Sequence, residues 1–412
     1  MRILWVSNDP SQPTGYGTQT KLFAPALAAA GHDVAVLQNT NPEPTYDWNG
    51  ITVLSPGQRV NFGNDLILAH AERFNPDLVI TCFDAFVADV KKYSRLPWAA
   101  FQMIDCYPLH KELEKSIPAA KVHLCPLTFP EKVVRDAGAV RTAIWPLAFS
   151  AFEFFPEDRR EARRNFGRMI GAKLDGRLLV VMNAANMSRP SRKNFSAAFE
   201  ALAILRRNGV DAVLYCHTEM TGEISFGEDL IWQARMHGLD PTCLVFAPQL
   251  EYKTMTIGTD FLRTAYNAAD CLLVTSYGEG FCLPIIEAYA CGTPVVCADY
   301  PGASDLVPEE WRVLDGLETT AFPYTKRFAV NPSAVAWRLA TLAKQAITVP
   351  VDWTQMAASY EIDTVMQRAV TPFLAEWPSL LAASNSVSES RESKEKDNAG
   401  TLRAETGQVA GV

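Results

Sequence analysis

The feature that most restricts how this chain can fold is an alternation, run twice, of short β-branched apolar segments with longer segments of helical character. In the first third the strand candidates are Arg2–Ser7, Asp33–Leu37, Ile51–Leu54, Asp77–Thr81, Trp98–Gln102 and Val122–Cys125, separated by helical patterns such as Thr18–Ala30 and Asn64–Phe74. Strands that alternate with helices predict a parallel sheet wrapped by helices. A charged stretch, PEDRREARRNFG at 156–167, interrupts the pattern and places a domain junction near residue 150. The second series has strands at Leu178–Met182, Asp211–Tyr215, Leu244–Ala247, Asp270–Thr275 and Pro294–Ala298, with helices starting at Asn194 and Thr259. Two such units predict an α/β protein of two doubly wound domains, 1–150 and 151–350, facing across a cleft. Ligands of such folds bind at the carboxyl ends of the strands.

Further on, Asn331 and Pro332 read as the N-cap and first residue of a helix through Leu342, and the Trp337, Leu339, Leu342 run as its packed face. Asp352 is expected to cap a helix running towards Trp377, while 384–412 has almost no large apolar residue and is expected to be a disordered tail.

Composition narrows the partners. The 412 residues carry a net charge of -8, so no basic footprint points to nucleic acid or to an anionic membrane surface. The nine cysteines are odd in number, mostly embedded in apolar runs, and include no CxxC pair. That favours core packing in a reducing compartment, a cytoplasmic location and no metal site. The opening MRILWVSNDP is a first strand too short for the apolar region of a signal peptide, and no run of about 18 apolar residues would make an integral membrane segment.

The chemistry concentrates in SYGEGFCLPIIEAYACGTPVV, 276–296. A strand ends there, a glycine-bearing loop follows, Pro284 suits a first helical turn and Gly292 closes the helix. The loop is expected to present the N–H groups of Gly280, Phe281, Cys282 and Leu283 at a helix N-terminus, an anion site suited to a diphosphate. Glu279 and Glu287 lie eight residues apart, the first in the loop and the second about one turn into the helix. Carboxylates beside a phosphate site suit hydrogen bonds from sugar hydroxyls, here Glu287 for a ribose and Glu279 for the transferred sugar. Taken singly, each of these residues reads equally as a turn glycine or a solvated helix residue.

Together they resemble the E-x7-E signature of retaining glycosyltransferases of GT-B fold, family-four type, in which two Rossmann-like domains face each other. The resemblance covers roughly 1–380. It implies a nucleotide-diphosphate-sugar as co-substrate, no other cofactor, and a C-terminal helix, 351–383, crossing back to the acceptor-side domain. The first βα loop, DPSQPTGYGTQT at 9–20, resembles the family's glycine loop, with Gly15, Tyr16 and Gly17 facing the donor. In NMSRPSRKNF, 186–195, Arg192 and Lys193 fit the family's phosphate-neutralising pair. The family's Arg more often follows an upstream Gly. Met187 sits near that place, so Arg189 is the alternative. Where many relatives carry a His after the fifth strand, this chain has Asp105, the candidate for contacting the donor sugar or the incoming hydroxyl, with His110 behind it. His217 is placed at a strand end near the nucleotide, and Asp305 stands where relatives often have Glu. His32, His70, His123 and His237 read as packing residues.

No DxD motif is present, which implies a metal-independent donor site. The expected reaction is transfer of a sugar, with retention, to an unidentified acceptor hydroxyl on a glycan, lipid, small molecule or protein. A nucleotide-sugar epimerase, a sugar phosphorylase or an inactive nucleotide-sugar-binding protein on the same scaffold are the rivals.

Overall fold

The computed structural model describes residues 1–41, 43–57, 61–223, 226–321, 325–344 and 351–383. The expected tail, 384–412, lies outside them. Fourteen strands form two sheets. In the first half these are β1 (Arg2–Ser7), β2 (Asp33–Gln38), β3 (Tyr46–Trp48), β4 (Ile51–Leu54), β5 (Leu78–Thr81), β6 (Trp98–Phe101), β7 (Val122–Cys125) and β8 (Thr142–Ile144), in the order β3-β4-β2-β1-β5-β6-β7-β8. In the second they are β9 (Leu178–Asn183), β10 (Ala212–His217), β11 (Leu244–Phe246), β12 (Cys271–Val274), β13 (Val295–Ala298) and β14 (Arg312–Val313), ordered β11-β10-β9-β12-β13-β14. Every pairing is parallel except β3 with β4. Every residue of β5, β6, β12 and β13 is buried, as strands covered by helices on both faces must be.

The pleat of β1 sorts the first core. Ile3 and Trp5 enter the same core as Phe101 and Trp145, while Leu4 and Val6 enter another with Tyr93 and Trp98. In each sheet the chain starts at a central strand and reverses direction of travel there, between β1 and β5 and between β9 and β12. Those are the crevices at which doubly wound sheets bind ligands.

Several expectations shift. The first helix begins at Gly15 rather than Thr18, because Thr14 caps it by accepting from Gly17 N at 3.0 Å. The next helix is Ile67–Phe74, three residues shorter than its periodicity implies. The helix beyond Asp352 is not continuous: Trp353–Ala358 and Ile362–Val365 lead into a π-helical stretch, Met366–Val370, and a helix over 371–383. The chain breaks at 359–361 because its backbone there is engaged elsewhere, Phe149 N donating to Tyr360 O and Ile362 N to Phe149 O, both at 3.0 Å. Beyond the break Trp377 is buried and donates Nε1 to Asp77 O at 2.9 Å. Unforeseen are β3, β8, β14 and an antiparallel hairpin, β15 (Gly316–Ala321) with β16 (Thr325–Val330).

Candidate active site

The crevice of the second sheet is built by the loops after β9 and β12. Thr275 Oγ1 donates to the carbonyls of Lys193 and Asn194 at 3.1 Å, and Tyr277 N donates to Arg192 O at 2.9 Å, so the two loops are stitched together. This brings Arg192, Lys193 and Glu279 into one cluster. Lys193 Nζ donates to Glu279 Oε1 at 2.6 Å, and Arg192 Nη1 donates to Glu279 Oε2 at 3.0 Å and to Gly278 O at 2.5 Å. Glu279 is 5% exposed. Burial alone would raise its carboxyl, but Lys193 and Arg192 outweigh that and hold it at about 2. Glu279 thus borders the cleft with both its oxygens engaged by the basic pair.

The helix Leu283–Ala290 starts beside this cluster. Its N-cap, Cys282, has the left-handed conformation (φ 81°), rare outside glycine and typical of a functional turn. No described residue accepts from the N–H groups of Gly280, Phe281 and Cys282, and Pro284 has none to offer. These residues line the cleft, so three unspent donors and the positive end of the helix dipole border it. One turn on, Glu287 accepts from Tyr266 Oη at 2.9 Å, and Asn183 Nδ2 donates to that same hydroxyl at 2.8 Å. Burial raises the Glu287 carboxyl to about 7, an effect the Tyr266 hydrogen bond only partly offsets. The signature pair is thus split: one carboxylate is ionised by its neighbours, and the other is held close to neutrality.

Loops of the first sheet close the other wall. A Cβ on Gly278 would meet Asp105 O at 2.0 Å, and one on Gly280 would meet the Met103 backbone at 3.1 Å, so the loop after β12 lies directly on the chain beyond β6. Asp105 stands there with its Oδ2 3.3 Å from Arg192 Nε and accepting from Arg327 Nη2 at 3.2 Å. The glycines of the first loop divide their roles. Gly17 is required by the loop itself, where a Cβ would meet Gln12 O at 2.2 Å. Gly15 leaves open space apart from Leu283 Cδ1 at 3.5 Å, so the N-termini of the two site helices confront each other across the cleft. Tyr16 Oη donates to Asp84 Oδ1 at 3.0 Å, and burial raises the Asp84 carboxyl.

Asp84 and Arg327 are cleft-lining residues that sequence reasoning missed. Asp84 follows β5, across the crevice from β1, and its position beside a switch point was the available signal. Arg327 belongs to the unforeseen hairpin and had none. His110 caps the short helix Lys111–Glu114 by accepting from Glu112 N at 3.2 Å. His217 lines the cleft but bonds Tyr215 Oη at 2.9 Å, and burial lowers it to about 4. Asp305 accepts from Phe129 N at 3.3 Å in a contact between the two halves. Arg189 bonds the Gly227 carbonyl and so is turned from the Glu279 cluster.

The cleft has a volume of about 1900 Å³, ample for a nucleotide-sugar together with an acceptor. Among the described residues no group of three or more His, Cys, Asp or Glu is placed to hold a metal ion, and no helix is long and apolar enough to cross a membrane.

Residues 179–345 match the family Glycosyl transferases group 1. Over 89 residues the chain is 39% identical to the D-inositol 3-phosphate glycosyltransferase of Rhodococcus opacus, a segment that spans 21% of this chain and 19% of that relative. A sucrose-phosphate synthase from Thermosynechococcus elongatus superposes over 96% of this chain and all of its own, with a TM-score of 0.64 at 17% identity. HepE from Anabaena, solved in complex with UDP-glucose, covers 91% of this chain and all of its own, with a TM-score of 0.68 at 15% identity. The two facing Rossmann-like sheets are the GT-B fold of these structures.

Proposed function

We propose that this chain, a GT-B-fold glycosyltransferase of the group 1 type, moves a sugar from a nucleotide-diphosphate-sugar to an acceptor hydroxyl with retention of configuration. The observation that carries the reading is the convergence of Arg192, Lys193 and the unspent N–H groups of 280–282 on one crevice. Departure of a nucleoside diphosphate leaves negative charge on phosphate oxygens, and preorganised cations and amides placed there lower the barrier without reorganising during the reaction. Glu287 accepts the ribose hydroxyls. Glu279 fixes the two cations and, with Asp105, borders the transferred sugar.

Attack on the face from which the nucleotide departs puts the acceptor proton within reach of the leaving phosphate, so no separate protein base is needed. The transferred sugar points towards Gly15, Tyr16 and Asp105, which line the same cleft. UDP-sugars are the first donors to try, since HepE was solved with UDP-glucose.

The test is incubation with a panel of UDP-, GDP- and TDP-sugars, following nucleoside diphosphate release and product mass. Wild type is expected to release the diphosphate from one donor class, slowly without acceptor. The double substitution Arg192→Ala, Lys193→Ala should lower turnover at least about 100-fold. Near-native rates in that variant would place the diphosphate elsewhere, and isomerised donor with no diphosphate release would mark an epimerase.

A further inference from the structure

The hairpin β15–β16 follows the last strand of the second sheet, yet its backbone is tied to loops of both halves. Lys326 N donates to Tyr107 O at 2.7 Å, Phe328 N donates to Tyr277 O at 3.0 Å, and Tyr300 Oη donates to Lys326 O at 2.5 Å. Residue 327 is therefore pinned from both neighbours. Successive side chains of a strand point to opposite faces. Lys326 accordingly reaches outward to Glu318 at 2.8 Å, whereas Arg327 turns into the cleft and donates to Asp105.

That contact completes a run of alternating charge, Lys193–Glu279–Arg192–Asp105–Arg327, of three cations and two carboxylates. Arg192 lies at its centre, claimed by a carboxylate on each side. A guanidinium held in this way is a weak partner for a diphosphate unless each carboxylate has a second counter-ion to keep it when Arg192 turns away. Lys193 supplies that counter-ion to Glu279. Arg327 supplies it to Asp105.

We propose that Arg327 is a positioning residue for donor turnover: by neutralising Asp105 it frees Arg192 for the diphosphate, a role that rests on the transfer reaction proposed above. The placement of Arg327 supports this. Its Nε is buried and no described residue accepts from it, so the hairpin holds the guanidinium against Asp105 at a local penalty that packing alone does not explain. The hairpin also lines the cleft through Thr319 and Thr320, which makes it a wall of the site as well as a support for Arg327.

A double-mutant cycle on the full chain tests the assignment, with Asp105→Asn, Arg327→Gln and their combination measured for donor turnover and for Tm. Arg327→Gln is expected to lower kcat at least tenfold while KM for the donor changes less than threefold, and Arg327→Lys to restore part of the loss. In the Asp105→Asn background the same Arg327→Gln change should cost less than threefold, because the carboxylate through which Arg327 acts is gone. Multiplying effects, or an Arg327→Gln enzyme within twofold of wild type, would overturn the assignment. If wild type turns over no donor, the transfer reading fails by itself. The cycle is then read from Tm, where additive shifts of the two substitutions reject the Asp105–Arg327 coupling and non-additive shifts retain it.

Discussion

The two glutamates of the signature show how far spacing informs at the level of single residues. Their separation predicted two carboxylates near one anion site, and both border the cleft. It said nothing of their ionisation, which depends on partners more than 60 residues away or on another helix: Lys193 and Arg192 for Glu279, Tyr266 for Glu287. The consequence for Glu287 is measurable. Its folded value of about 7 lies above the ordinary 4.5, so the folded protein retains a proton that the unfolded chain loses across that window. The stability that Glu287 contributes is therefore fully present below about 4.5 and is lost as pH rises to about 7. Glu287→Gln removes the titration. It should be stabilised relative to wild type at pH 8 by on the order of 3 kcal/mol more than at pH 4.5, read by urea denaturation, while UDP affinity by calorimetry falls. The same difference at both pH values would mean that Glu287 is not held near neutrality, and unchanged affinity would remove it from the ribose.

Loops, helix starts and the hairpin decide whether those residues meet. Gly278 and Gly15 make opposite predictions although both are glycines of segments that build the cleft. Gly278→Ala puts a methyl into the Asp105 carbonyl; it should destabilise by about 1–3 kcal/mol and, by parting the two loops, lower turnover at least tenfold. Gly15→Ala meets only ordinary contact with Leu283. Lying in the first turn of a helix, it should leave Tm unchanged or slightly raised, so any loss of turnover there reports a ligand that needs the space. A fall in Tm for Gly15→Ala together with tolerance at Gly278 would reverse this account. The helix starting after Asn194 was legible because Asn is a capping residue and an apolar run follows it. The hairpin was not. Its alternation is weak, with threonines and charged residues on strands whose partners are each other and two distant loops, so no local pattern marks it.

At the level of the whole molecule the two sheets are joined by contacts of long sequence separation. The helix over 371–383 carries Trp377 to Asp77, and Phe373 lies 5.6 Å from Trp145, ring to ring. Trp377→Ala should therefore cost about 3–5 kcal/mol and lower Tm by several degrees, whereas Trp377→Phe keeps most of the packing and loses the hydrogen bond; equal effects of the two would show that burial is not what secures the segment. The amino-acid order by itself determined the β/α alternation, the pair of doubly wound sheets and the loops that border the cleft. These follow from side-chain period, capping and turn residues within about a dozen positions. Only the tertiary structure decided that Glu279 is spoken for, that Gly17 serves its own loop, and that Arg327 reaches Asp105 across 222 positions. Such pairings depend on where two separately folded sheets come to face each other. That placement is set by burial over surfaces that no single stretch of the chain contains.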